Sequence, residues 1–235
     1  GDGCAHRHCR AHARAATESD AEVRELGSPR RLIEQIRANF DDTALAAGQP
    51  FDPALQRRLR QAVEQRIPEL GARLDERARA GRIVEGHGDL HARNICMTDP
   101  VTVYDCVEFR RDFRCGDVAT DIAFLTMDLR ARGRHDLAER VRSVYIDESR
   151  DRGLLAVLPE LERYRAMVRA KVRAISAADP HASAAARAEA ASEARRYLRL
   201  CAFGLAAEGT PLLVIASGPP ASGKSFLAAA LGRET

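Results

Sequence analysis

Lysine is almost absent from this chain. Of the 37 basic residues among 235, only Lys171 and Lys224 are lysines, and the rest are arginines. A planar guanidinium does not replace a compact ammonium inside a phosphate-binding loop, so each remaining lysine is informative. The scarcity also excludes any lysine-dependent site before residue 171.

Long apolar runs and paired cysteines are missing too. No stretch reaches the about 18 apolar residues that a membrane span needs, and no secretory signal segment is present. The six cysteines form no C-x-x-C pair, which predicts free thiols in a reducing cytoplasm. Acidic residues nearly balance the basic ones at a net charge of +3, without blocks of one sign, so nucleic acid is not an indicated partner.

The N-terminal stretch "CAHRHCRAH" admits two interpretations. It contains five residues that could bind zinc, namely Cys4, His6, His8, Cys9 and His12. Their spacing matches no standard zinc pattern, so we favour an Ala- and Arg-rich helix or a frayed terminus.

The first third of the chain predicts helices. In "SPRRLIEQIRANF" Ser28 is the expected N-cap and Pro29 the first helical residue. A second helix begins after Asp52 with Pro53 and ends at Gly81.

Short strands follow, and then more helices. "RIVEG", "NICM" and "VTVYD" have strand character, and a turn at residues 98–100 joins the last two. "DVATDIAFLTMDLRARG" opens the later helices and presents one apolar face, made of Val118, Ile122, Leu125 and Leu129.

The polar loop between the first two strands contains a phosphoryl-transfer motif. "HGDLHARN" matches the kinase catalytic-loop pattern H-R-D-L-x-x-x-N except for Gly88, which replaces arginine. Asp89 is at the position of the base that accepts a hydroxyl proton, and Asn94 is at that of a Mg²⁺ ligand. Asp105 closes the next strand, as the aspartate of the kinase D-F-G segment does, and is the expected second metal ligand.

Other polar residues near this loop leave alternatives open. We expect His87 to pack and hydrogen-bond rather than to act as acid or base. His91 and Arg93 either contact a transferred phosphate or face solvent. Asp117 and Asp121 are helix caps or supports for the loop, or else metal ligands.

A second phosphate motif lies near the end of the sequence. "GPPASGKS" fits the P-loop pattern G-x-x-x-x-G-K-[ST] and follows the β-prone run "TPLLVIA". Its expected nucleotide-binding residues are Gly218, Pro219, Pro220, Ala221, Ser222, Gly223, Lys224 and Ser225, and Ser225 is also a predicted Mg²⁺ ligand.

Together these segments resemble a known family. "HGDLHARN" and "VYDCVEF" resemble the aminoglycoside phosphotransferase and choline kinase group, which is similar in fold to protein kinases. "FRCGDVATDIAFLTMDL" resembles a bacterial two-domain family in which such a domain precedes a P-loop domain similar to gluconate kinases and other AAA-type ATPases. The resemblance covers roughly residues 27–235 and implies Asp89 as catalytic base, Asn94 and Asp105 as Mg²⁺ ligands, and ATP as donor.

Two departures from that family matter. No strand lysine and no G-x-G-x-x-G loop precede Asp89, and no acidic strand end follows the P-loop. We therefore expect a piece of a longer protein, inactive alone, with a kinase-like C-lobe at residues 1–208 and the start of a P-loop domain at 209–235.

The predicted fold is α+β and mostly helical, with helices around a short catalytic β-ribbon, followed by the first β-loop-α unit of a P-loop domain. The predicted function is transfer of the ATP γ-phosphate to a small hydroxylated acceptor. The rivals are a nucleotide-binding regulator without phosphotransfer and a helical scaffold. The residues do not identify the acceptor.

Overall fold

The computed structural model describes residues 21–45 and 52–202. Within them lie seven α-helices and four short strands. In chain order they are α1 (Ala21–Leu26), α2 (Pro29–Leu45), α3 (Pro53–Arg79), β1 (Ile83–Glu85), β2 (Ile95–Cys96), β3 (Thr102–Val103), β4 (Cys115–Asp117), α4 (Ala119–Ala131), α5 (His135–Ser149), α6 (Leu154–Ala178) and α7 (Ala184–Ala202). This part of the chain is therefore mostly helical, as expected.

Several predicted features lie outside the described residues. They are the N-terminal "CAHRHCRAH" stretch, the "TPLLVIA" run and the P-loop. The predicted P-loop unit and the division at residue 208 therefore stay predictions. Among the described helices, none combines the length and apolarity that a membrane crossing requires.

The helix-start predictions have mixed outcomes. Asp52 caps α3 as predicted, since its Oδ1 accepts a hydrogen bond from Ala54 N at 2.8 Å. Gly81, with a φ of 72°, follows the end of that helix. Ser28 occupies the predicted N-cap position before Pro29, and its carbonyl oxygen accepts a hydrogen bond from Leu32 N at 3.1 Å, but its buried hydroxyl has no hydrogen-bond partner among the described residues.

The strands form two antiparallel pairs. β2 pairs with β3, with Ile95 opposite Val103, which confirms the predicted ribbon. β1 pairs with β4, with Ile83 opposite Asp117. The sequence interpretation missed β4 and assigned Asp117 to the following helix, which actually begins at Ala119. Three residues centred on a glycine carry no alternating pattern, so this strand depends on its partner rather than on local preference.

Helix α4 occupies the centre of the described core. Residues 119–128 are all buried, including Thr126 and Asp128, which are both fully inaccessible to solvent. The predicted single apolar face is therefore too narrow, because this helix is covered on every side. α4 packs against α5 and α6, and it contacts the 3-10 turn at Ala92–Asn94.

A buried ionic cluster joins distant segments beside β4. Arg77 donates two hydrogen bonds of 2.7 Å to Asp117. It also donates two, of 2.8 and 2.9 Å, to Asp151, which precedes α6. The planar guanidinium donates all four of these hydrogen bonds, whereas a lysine ammonium has only three N–H donors. The cluster fixes α3, β4 and the start of α6 relative to one another.

We predict that Arg77→Met lowers the free energy of unfolding by about 3–5 kcal/mol, because it leaves two buried carboxylates without their common partner. Urea denaturation of the chain measures this loss. The matched control is Arg37→Met, which removes three exposed hydrogen bonds to Glu64 and should change stability little. Similar small losses for both variants would contradict the proposed role of the cluster.

Candidate active site

The motif loop, residues 86–94, is held against α4 by two buried aspartates. Asp121 accepts hydrogen bonds from His87 N at 2.7 Å and from Gly88 N at 2.9 Å. Asp128, two turns further along the same helix face, accepts one from Ala92 N at 3.0 Å. Both halves of the 86–94 loop are thereby fixed to one rigid helix. Of the alternatives open for Asp121, the loop support is the one that these contacts confirm.

Two glycines allow this close approach. A Cβ on Gly86 would lie 2.5 Å from Asp121 Oδ2. Gly88 has a φ of 80°, and a Cβ there would lie 2.8 Å from the Phe113 carbonyl oxygen. Gly88 therefore replaces the arginine of the kinase pattern for a steric reason, since no arginine side chain fits at this position.

His87 holds the loop, as predicted. Its Nδ1 accepts a hydrogen bond from Asp89 N at 3.3 Å, so the ring proton is on Nε2. That nitrogen lies 2.9 Å from the Tyr104 carbonyl oxygen, to which it donates. The imidazole thus connects the 86–94 loop to the end of β3.

The three predicted chemical residues converge at the end of the β2–β3 ribbon. Asn94 is buried, and its Nδ2 lies 3.0 Å from the Asp89 carbonyl oxygen. The same nitrogen lies 3.5 Å from Asp89 Oδ2 and 3.5 Å from the Asp105 carbonyl oxygen. These contacts leave Oδ1 as the amide atom available to a cation. Asp105 is exposed and has a φ of 63°, in the left-handed region.

The donor set at this point suits a hard cation. Within the described ranges, no three His, Cys, Asp or Glu side chains cluster in a way that could bind a metal. The residues assigned to the metal are instead one amide, Asn94, and one carboxylate, Asp105, and Mg²⁺ typically uses few protein oxygens and completes its shell with water and phosphate. The residues therefore fit Mg²⁺ better than zinc.

Positive charge surrounds the Asp89 carboxylate. His91 Nε2 lies 3.5 Å from Asp89 Oδ2. Burial raises the pKa of the Asp89 carboxyl, but the hydrogen bond and charge of His91, with the charges of Arg169 and Arg165, bring that pKa below its ordinary value. Asp89 is therefore ionised at neutral pH and can accept a proton.

His91 and Arg93 point in different directions. His91 is 6% exposed and packs edge-on against Phe124 at 5.8 Å between ring centroids. The solvent-facing alternative is therefore wrong for His91. Arg93 is half exposed, and its Nη2 lies 3.3 Å from Glu193 Oε1 on α7.

The sequence analysis missed Asp128. This carboxylate also accepts hydrogen bonds from the Tyr197 hydroxyl at 2.7 Å and from Arg132 Nε at 2.9 Å. Burial raises the pKa of Asp128, but these partners bring it below its ordinary value. The available signal was an aspartate seven residues after Asp121 on a strongly apolar helix, because such a residue is buried only when it is paired.

Asp117 has a structural role, and not the role of metal ligand that the sequence left open. Besides its pairing with Arg77, its Oδ1 accepts a hydrogen bond from Ala119 N at 2.8 Å. It therefore caps the start of α4 and belongs to the ionic cluster.

Comparison with known proteins identifies the class. The chain belongs to the phosphotransferase enzyme family called APH, whose sequence profile matches residues 5–157. That range includes Asp89, Asn94 and Asp105 and ends before the P-loop motif. Membership of this family supports the prediction of a kinase-like phosphotransferase activity.

The names of the individual relatives state no function. The chain is 36% identical over 153 residues to the uncharacterized proteins Rv2004c and MT2060 of Mycobacterium tuberculosis and Mb2027c of Mycobacterium bovis. The match covers 65% of this chain and 29% of each relative, so the chain spans less than a third of their length. No solved structure matches the chain.

We predict that Asp121→Asn and Asp128→Asn each release a different part of the 86–94 loop. An asparagine side chain has one acceptor oxygen, whereas each aspartate uses two. The loop N–H groups therefore lose a charged hydrogen-bond acceptor, and the equilibrium constant for local opening should rise by about 10- to 100-fold. Hydrogen exchange should quicken at His87 and Gly88 in the first variant and at Ala92 in the second.

The control for this experiment is Asp136→Asn, which alters an exposed pair with Arg134 that makes no hydrogen bond to the loop among those described. It should leave all three amides unchanged. Unaltered exchange at these amides in both test variants would contradict the anchoring role of α4.

Proposed function

We propose that this chain contributes the catalytic loop and metal-binding residues of an ATP-dependent phosphotransferase that acts on a small hydroxylated compound. The single observation that carries the proposal is the approach of Asn94 Nδ2 to the Asp89 carboxylate and to the Asp105 carbonyl oxygen at the end of the ribbon. Membership of the phosphotransferase family supports the same reaction class.

In this proposal Asp89 is the catalytic base. Its carboxylate orients the acceptor hydroxyl and takes its proton, while the hydroxyl oxygen bonds to the γ-phosphorus of ATP. The bond from that phosphorus to the oxygen bridging the β- and γ-phosphates breaks, and ADP leaves. The lowered pKa of Asp89 keeps its carboxylate ionised at neutral pH, which is the protonation state that this role requires.

Asn94 and Asp105 would bind the metal that accompanies ATP. Bound Mg²⁺ supplies positive charge for the phosphate oxygens. The buried Asn94 amide is oriented through Nδ2, and the exposed Asp105 lies two residues after the end of β3. An oriented amide and a nearby carboxylate need little rearrangement to bind a cation.

We also propose a second nucleotide site at residues 218–225, of the kind found in gluconate kinase-like and AAA-type ATPases. This part rests on the sequence motif alone. Backbone N–H groups and the Lys224 ammonium would contact the phosphates, and the Ser225 hydroxyl would bind Mg²⁺.

We predict that Asp89→Asn, made in the full-length protein, lowers kcat for ADP release by two or more orders of magnitude, because general-base catalysis contributes about 10²–10⁴-fold. Affinity for MgATP should stay within about twofold, since the side chain acts on the acceptor. Coupled ADP assays and calorimetric titration measure the two quantities.

Asp136→Asn is the matched control, since it removes an exposed carboxylate of α5. Lys224→Ala separates the two proposed nucleotide sites, because it should affect only turnover that depends on the P-loop. A full-length protein that binds ATP but shows no Asp89-dependent turnover would instead be a nucleotide-binding regulator. One observation favours this rival: residues 1–170 contain no lysine that could bind the ATP phosphates.

A further inference from the structure

Two arginines on α6 form no ion pair with a carboxylate among the described residues. Arg165 and Arg169 are one helical turn apart, and the Nε atoms of both are buried without a hydrogen bond. Arg165 is only 8% exposed, and its guanidinium lies 4.9 Å from the centroid of the Phe124 ring. Arg169 lies 5.8 Å from the Tyr197 ring centroid.

Carboxylates on the neighbouring elements are already engaged. Asp128 is bound by Tyr197 and Arg132, and Asp121 by two loop N–H groups. Glu162 accepts a hydrogen bond from Thr126 at 2.6 Å and pairs with Arg130, and Glu193 pairs with Arg173 at 2.6 Å. Across residues 21–45 and 52–202, no ion pair joins a carboxylate to Arg165 or Arg169 within 4.0 Å.

These two cations belong to the surroundings of Asp89. Phe124, which Arg165 covers, also contacts His91, and His91 lies 3.5 Å from the Asp89 carboxylate. Both guanidinium charges act on that carboxylate. Arg165 is therefore linked to Asp89 through Phe124 and His91, whereas Asn94 contacts Asp89 directly.

A buried arginine without a carboxylate is costly unless a ligand supplies the negative charge. Its planar fork suits a carboxylate or a phosphate, which it can bind through two hydrogen bonds. A polycationic acceptor such as an aminoglycoside would be repelled at the same position. The charges of Arg165 and Arg169 therefore disfavour a cationic group next to them.

We propose that the acceptor carries an anionic group, a carboxylate or a phosphate monoester, which Arg165 and Arg169 bind while a neighbouring hydroxyl reaches Asp89. This inference rests on the proposed phosphotransfer function and specifies its substrate class. The arginines are specificity-determining residues for the acceptor, and ATP and Mg²⁺ are bound elsewhere in the site.

The first arm of the test measures binding without turnover. The full-length protein is saturated with Mg²⁺ and a non-hydrolysable ATP analogue, and inorganic phosphate and citrate are then titrated as probes by calorimetry. We expect both probes to bind, and Arg165→Gln/Arg169→Gln to weaken them at least about tenfold. Arg195→Gln, which removes an exposed charge from α7, should leave binding unchanged.

The second arm compares matched acceptors in the ADP-release assay. The pairs are glycerol with glycerol 3-phosphate and glucose with gluconate, and kanamycin is the cationic comparison. We expect kcat/KM to favour the anionic member of a pair. The arginine variants should raise KM for that member and leave KM for ATP unchanged.

The outcomes separate this inference from the proposed function. Turnover that depends on Asp89 but favours neutral or cationic acceptors would overturn the inference and leave the function standing. Equal losses of kcat for all acceptors would also overturn it, because the arginines would then act on the transferred phosphate. Probe binding that the arginine variants abolish, without any turnover, would support the anion site while refuting phosphotransfer.

Single substitutions keep the test valid if the double arginine variant fails to fold. Arg169 is only partly buried, so Arg169→Gln is the milder change. Arg169→Lys keeps the charge and should restore part of the probe affinity. Identical probe binding in wild type, Arg169→Gln and Arg169→Lys would contradict the proposal.

Discussion

Two carboxylates on one buried helix determine where the site residues lie. Asp121 and Asp128 accept N–H groups from both halves of the 86–94 loop, which links β1 to β2. A loop with two glycines has many accessible conformations, so these charged hydrogen bonds select one of them. Because α4 is packed on all sides, it provides a rigid base from which Asp89 and Asn94 reach the ribbon.

Buried charge is used in two different ways in this part of the chain. The Arg77 cluster and Asp128 are ionic groups whose partners are all protein atoms, and they join segments that are distant in sequence. Arg165 is equally buried but has no such carboxylate among residues 21–45 and 52–202. Charge that is fully paired serves the fold, whereas buried charge without a partner is better explained by a ligand.

Local chemistry made part of this arrangement predictable. The spacing of Asp89, Asn94 and Asp105, the Asp52 cap and the role of His87 all follow from short-range patterns. Strand β4 and the role of Asp128 do not follow from such patterns, because each depends on a partner that is distant in the sequence. Tyr197 is 69 residues from Asp128, and Arg77 is 74 residues from Asp151. No periodicity within one segment encodes such pairings, so helices and motifs were predictable and the charged contacts between them were not.

The most direct test of the account is a crystal structure of the full-length protein with Mg²⁺ and a non-hydrolysable ATP analogue. The account predicts Mg²⁺ at about 2.0–2.1 Å from an Asn94 amide oxygen and an Asp105 carboxylate oxygen. The Asp89 carboxylate should face the γ-phosphate, with the 86–94 loop still bound to Asp121 and Asp128. A metal held by other residues, or an Asp89 carboxylate directed away from the nucleotide, would contradict the account.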